Sequence, residues 1–173
     1  KMIRSSIPST IAIHQNLTSE ASILGNPTQV HRLLINLCTN AAHAMEAGGG
    51  TLRIDLTDVR VNPGQPAAPA GLTPGDYLKL AVADTGTGMA PEILGSIFEP
   101  YFTTKGPGRG TGMGLAMVHG IVESYGGKIF VESAVGRGST FSIYLPAAGT
   151  SAERQPVDAE PSSADDGAYR LPS

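Results

Sequence analysis

Glycine occupies every second position from 106 to 114 (Gly106, Gly108, Gly110, Gly112 and Gly114). The run passes straight into a stretch with helical periodicity, where Leu115, Val118, Val122 and Tyr125 share one face. Glycine at this density suits neither a strand nor a helix interior. The fold must therefore place an irregular loop at the start of a helix. Backbone N–H groups at a helix start, with glycines around them, make a cradle for phosphate. A flexible glycine linker is the plain alternative, and the immediate switch to an amphipathic helix argues against it. Two common cradles are absent: there is no G-x-x-x-x-G-K-[ST], and no G-x-G-x-x-G follows a strand.

The chain carries 22 Gly in 173 residues. With 40% hydrophobic residues it is too apolar to be wholly disordered. No apolar run approaches the ~20 residues of a membrane helix, and no signal stretch opens the chain. Cys38 is the single cysteine, which excludes a disulfide framework. The formal net charge of −3 gives no basic footprint for nucleic acid. That charge belongs to residues 146–173, where Arg154 and Arg170 face Glu153, Asp158, Glu160, Asp165 and Asp166. This stretch, rich in Ala, Pro, Ser and Asp, is expected to be a disordered linker. The expectation is an intracellular domain over 11–146, preceded by the end of another segment over 1–10 and followed by an acidic linker over 147–173.

Residues 11–17 alternate as a strand. Pro27-Thr28 opens a helix with Val30, Leu34, Leu37, Ala41 and Met45 on one face, ended by Gly48-Gly49-Gly50. Residues 51–61 alternate after a single slip, which predicts a strand with a bulge at Thr57-Asp58. The Pro- and Gly-rich stretch 62–76 is a loop. Strands are expected at 77–83, 128–134 and 139–145, with helices at 91–98 and 111–125. The order β-α-β-β-α-α-β-β predicts an α+β fold, with helices layered on one face of a mixed, mostly antiparallel sheet.

Asn36 and Asn40 stand four apart on the first helix, so their amides stack beside the apolar arc. A solvated polar face is the plain reading of either Asn alone, since Asn disfavours helix interiors. The pair points instead to a ligand or metal, and an amide oxygen suits Mg²⁺. Asp84-Thr85-Gly86-Thr87-Gly88-Met89 follows a strand directly. Alone this reads as a turn; a carboxylate at a strand end also accepts well from an exocyclic amine, with Gly86 and Gly88 letting backbone approach a flat ligand.

Taken in order, NLCTNAAHAM (36–45), DTGTGM (84–89), IFEPYFTTK (97–105), GRGTGMGLAMVHGIVESYGG (108–127) and GRGSTFSIYLP (136–146) resemble the N, first glycine, F, second glycine and third glycine boxes of sensor histidine kinases. The chain is similar to their catalytic, ATP-binding domain, which has the Bergerat fold of the GHKL superfamily, and most of all to the bacterial hybrid subgroup. The resemblance implies a two-layer sandwich with about three helices on one face of the sheet. It implies ATP and Mg²⁺ as cofactors, with Asn40 on the metal and Asn36 one turn earlier toward the phosphates. Asn36, Asn40 and Lys105 are the implied catalytic residues. Asp84 would accept from the adenine amine and so disfavour guanine. Gly86 and Gly88 would border the adenine. Phe98 and Phe102 would anchor an ATP lid over 99–110, from which Lys105 would reach a phosphate, the plain alternative being a solvated lid charge. Gly110, Gly112 and Gly114 would supply phosphate-binding backbone, and Thr140 would support Asp84. The implied nucleotide contacts also include His43, Ala44, Met89, Thr103, Thr104, Gly108, Arg109, Thr111, Met113 and Leu115.

These kinases phosphorylate a His on a separate helical-hairpin dimerisation domain, in a setting such as H-[DE]-x-x-[NH]-P. None of His14, His31, His43 and His119 has that setting. Residues 4–11 resemble the exit from the hairpin domain, and the tail resembles the linker to a receiver domain. The implied partners are that dimerisation domain and a receiver domain or response regulator, with no nucleic acid. The chain is expected to be cytoplasmic, and monomeric alone. Hydrolytic relatives and anti-sigma serine kinases carry a Glu general base where Asn36 stands. Asn36 thus favours transfer to His over hydrolysis. The rival readings are a stand-alone Ser/Thr kinase, a nucleotide-sensing docking module and an ATP-driven clamp.

Overall fold

A computed structural model describes residues 4–64, 69, 71–104 and 110–148. Along the chain run β1 (Ile11–Leu17), α1 (Pro27–Ala44), β2 (Gly50–Val61), β3 (Gly75–Asp84), α2 (Pro91–Leu94), α3 (Gly114–Ser124), β4 (Lys128–Ala134) and β5 (Gly138–Pro146). The strands form one sheet in the order β1-β2-β3-β5-β4. Among the described residues only the β1–β2 pair is parallel, with α1 as its crossover; the other three pairs are antiparallel. The mixed, mostly antiparallel sheet and the three α-helices among the described residues match the expectation. Among the described residues no helix is long and apolar enough to cross a membrane.

Period-2 alternation puts Leu52, Ile54, Leu80, Val82, Phe141 and Ile143 on one sheet face. There they are buried with Leu33, Leu37 and Cys38 of α1 and Val118, Ile121 and Val122 of α3. Desolvation in this core pushes the Cys38 thiol up to about 11. Ile7, ahead of β1, is also buried in this core. The buried stripe of α1 is turned slightly from the expected one: Leu33, Cys38 and Ala42 are buried, while Leu34 is only partly so.

Three expectations need correction. The slip in β2 is not a bulge, because β2 and β3 pair without interruption from Leu52–Asp84 to Val61–Gly75. Instead the strand changes its buried face. Leu52 and Ile54 face the helices, whereas Val61 packs with Tyr77 and Tyr144 in a second cluster that Val59, Leu72 and Phe130 join. The helix expected over 91–98 stops at Leu94, with Gly95 as its C-cap. The helix expected from Thr111 begins at Gly114, because Gly112 holds φ +65, a left-handed conformation no right-handed helix contains.

Helices α1 and α3 are pinned at one end through Tyr125. Its hydroxyl accepts from the Asn26 N–H (2.9 Å) and lies 2.6 Å from Gln29 Oε1. Tyr125→Phe is expected to cost about 1–2 kcal/mol, read as a lower urea midpoint with an unchanged slope. Nucleotide affinity should hold, because Asn26 lies ten residues, about 15 Å, along α1 from Asn36. Past β5, the Ala147 N–H donates to Asp76 O (2.9 Å) and the Ala148 N–H to Ser22 O (2.8 Å). The departing chain is thereby stitched to the start of β3 and to the β1–α1 connection.

Candidate nucleotide site

A cavity of about 430 Å³ lies among α1, the loop after β3, and the entry to α3. Its α1 wall carries Asn36, Asn40, His43 and Ala44. Asn36 and Asn40 also border Gly114: a Cβ placed there would lie 3.5 Å from Asn36 Oδ1 and 3.8 Å from Asn40 Nδ2. The Asn36 amide donates to Met117 Sδ (3.5 Å), which leaves its oxygen toward the α3 start. That start has Met113 as N-cap and no side-chain cap, so its first N–H groups are open to an anion. Gly112 reaches the required turn at φ +65, and its carbonyl accepts from the Tyr101 N–H (3.1 Å), which fixes the two ends of the 102–111 loop side by side.

Asp84 also lines the cavity, at the point where β3 runs out. It is 8% exposed, and its carboxylate accepts from the Gly86 N–H (2.9 Å) and from the Ser139 N–H. Burial raises its pKa above the ordinary aspartate value, against the pull of those two donors. The loop behind it is sewn in by main chain. Thr87 N–H donates to Ala44 O (3.0 Å) and Gly136 N–H to Thr87 O (2.8 Å). At Gly86 the loop passes so near α1 that a Cβ would sit 2.6 Å from Ala44 O. Gly88 combines φ +65 with an even closer approach to Ala134.

Most of the expected contacts meet at this cavity. Besides the α1 residues and Asp84, these are Gly88, Met89, Phe102, Thr103, Thr104, Gly110, Thr111, Gly112, Gly114 and Leu115. Gly86, Phe98, Met113 and Thr140 are not among its lining residues. Phe98 instead packs on the core and stacks on His119 at 5.1 Å, and Met113 caps α3. Lys105, Gly108 and Arg109 lie outside the described residues. Thr140 needs correction. It pairs with Ala83, whereas Ser139 pairs with Asp84. Opposed residues share a face, so Ser139 and not Thr140 stands beside the carboxylate. A signal for this existed: Phe141, Ile143 and Leu145 are apolar at period two, which puts 139 on their side. Thr39, Thr87, Ile93 and Ile97 also line the cavity and were not expected.

The Mg²⁺ expectation fits the donor set in one respect. Among the described residues no cluster of His, Cys, Asp or Glu could cage a metal. A neutral amide is a suitable single protein ligand for an ion that keeps its waters and binds phosphate oxygens.

Residues 25–149 match the family described as histidine kinase-, DNA gyrase B-, and HSP90-like ATPase. The chain is 44% identical over 124 residues to the sensor kinase CckA of Brucella abortus, covering 68% of this chain and 12% of that protein. It is 39% identical over 134 residues to the sensor histidine kinase ZraS of Klebsiella oxytoca, covering 77% and 25%. It thus spans a quarter or less of these relatives. Among solved structures it resembles the mycobacterial sensor histidine kinase MprB, with TM-score 0.64, 25% identity, and coverage of 86% and 89%. It also resembles the nucleotide-free catalytic domain of histidine kinase ThkA, with TM-score 0.62, 28% identity, and coverage of 84% and 82%.

Proposed function

The chain belongs to the histidine kinase-, DNA gyrase B-, and HSP90-like ATPase family as an ATP-binding catalytic domain of the sensor histidine kinase type, and on that premise we propose that it delivers the γ-phosphate of ATP to a His on a separate dimerisation domain. The observation that carries this reading is the chemistry of the cavity wall. Asp84 is the only carboxylate among its described lining residues, and the loop that follows it meets α1 at Ala44, about two turns past Asn36. Asn36 cannot take a proton at neutral pH, so it orients and does not act as a general base. A neutral imidazole already carries its lone pair and needs no base.

In this reading Asp84 accepts from the exocyclic amine of adenine, and the loop 85–89 forms the purine edge. The N–H groups at the start of α3 hold the phosphate chain. Asn36 and Asn40 face those phosphates, and Asn40 is the proposed ligand for Mg²⁺. When bound, that ion neutralises phosphate charge during transfer. The contribution of the chain is otherwise positioning, with the γ-phosphate held in line for the incoming imidazole. Lys105 is a proposed further phosphate contact. The partners in this reading are the histidine-bearing dimerisation domain and a receiver domain or response regulator, in the cytoplasm.

Incubated with Mg²⁺-ATP, the chain alone is expected to incorporate no phosphate. With the histidine-bearing hairpin domain of the parent kinase added, acid-labile phosphate should appear on that domain. Label on the chain itself, or steady-state hydrolysis without any acceptor, would sink the proposal.

A further inference from the structure

Ser133 lies on β4 directly across from Ser139 on β5. Its Oγ makes three polar contacts. It accepts from the Met89 N–H at 2.8 Å, and it stands 3.0 Å from Gly138 O and 2.9 Å from Ser139 Oγ. A serine hydroxyl has one proton and two lone pairs. The Met89 N–H only donates, and the Gly138 carbonyl only accepts. The single arrangement that satisfies all three contacts sends the Ser133 proton to Gly138. The proton between the two hydroxyls then comes from Ser139. The reverse assignment leaves lone pairs of Ser133 and Gly138 facing each other at 3.0 Å.

This fixes what Ser139 shows to the cavity. Ser139 lines it, is 6% exposed, and pairs with Asp84. With its proton engaged by Ser133, its oxygen offers only a lone pair. The ionised Asp84 beside it also only accepts. We propose that Ser133 is a positioning residue that sets nucleotide specificity: it holds the Ser139 hydroxyl so that this corner accepts only, and so takes a 6-amino purine and turns away a 6-oxo purine. Without the Ser133 hydroxyl, Ser139 is free to rotate and donate to a 6-oxo group, so discrimination relaxes. The proposal rests on the ATP reading above.

The test is titration calorimetry of the chain with ATP and with ITP, both with Mg²⁺. Wild type should prefer ATP. Ser133→Ala should lower the ATP-to-ITP affinity ratio by about fivefold or more, the worth of one redirected hydrogen bond. Ser133→Thr, which keeps a hydroxyl, should retain the preference. In a Ser139→Ala background, Ser133→Ala should leave the ratio unmoved, because the effect travels through Ser139. Should Ser133→Ala not fold, Ser133→Cys carries the same expectation, as a thiol is a weak donor and acceptor. An equal loss of both affinities with an unchanged ratio means Ser133 is merely structural and overturns the proposal. So does an undiminished effect without Ser139. A wild-type chain that binds neither nucleotide overturns the ATP reading and this inference with it.

Discussion

Asp84→Asn is expected to weaken ATP binding by about tenfold to a hundredfold, while the nucleotide-free chain melts within a few degrees of wild type. The two halves of this result have different causes. An ionised carboxylate is a stronger acceptor for the adenine amine than an amide oxygen, and the amide can turn its own donors toward the base. In the empty chain, by contrast, the charge is held in a buried place that raises its pKa. Asparagine removes that desolvation penalty but also loses an acceptor for one of the two N–H groups, Gly86 and Ser139, and the two changes roughly offset. The pH dependence follows from the direction of the shift. Because the folded pKa is raised, the stability linked to this group is full below the ordinary value of 3.8 and is lost as pH rises through the folded value. The rise in melting temperature on adding ATP should therefore grow as pH increases across that interval, and in Asp84→Asn it should lose this component. Calorimetric affinity preserved in Asp84→Asn would mean the adenine end of the cavity is misassigned.

Gly88→Ala is expected to lower stability by about 3–5 kcal/mol, a fall of about 10 °C or more in melting temperature. A Cβ at this position would lie 1.9 Å from the Ala134 carbonyl oxygen, and φ is +65. The conformation alone costs about 1–2 kcal/mol for an L-residue, and the overlap requires the β4–β5 hairpin to move. Gly120→Ala is the internal control. Gly120 lies within α3 with nothing within 4 Å of its Cβ position, so alanine there should stabilise by about 0.5–1 kcal/mol. If Gly88→Ala melts with wild type, the close approach of loop to hairpin does not exist.

Where one period ran through a whole segment, the sequence was enough to read it. β1 falls where alternation puts it, at Ile11–Leu17, and α1 begins at Pro27, where the Pro27-Thr28 opening puts it. The misreadings arose where two physical demands overlap. In β2 the apolar pattern changes phase because a second cluster buries the opposite face, and a single strand cannot reveal that without its neighbours. At Gly112 helical spacing continues, but the backbone must first turn through positive φ, so α3 starts later than its apolar face. The site shows the same division. The Asn36–Asn40 spacing and the position of Asp84 at the end of a strand are local facts, legible directly. Ser133 carries no local signal: its role depends on the β4–β5 register and on a contact with Met89, 44 residues away in sequence.

The sheet also has a direction. β1 enters at Ile11, level with Gly50 and near the strand end that bears Asp84; β5 begins beside Asp84 and leaves at Pro146. Nine residues of β5 separate those levels by about 25–30 Å. A neighbour tethered ahead of Ile11 would start from the strand end that bears Asp84. A neighbour tethered downstream departs from the opposite pole, held there by the Ala147 and Ala148 bonds, and must span the length of the sheet to return. A group tethered at the Ile11 end would thus have a higher local concentration at the cavity than the same group tethered at the Pro146 end.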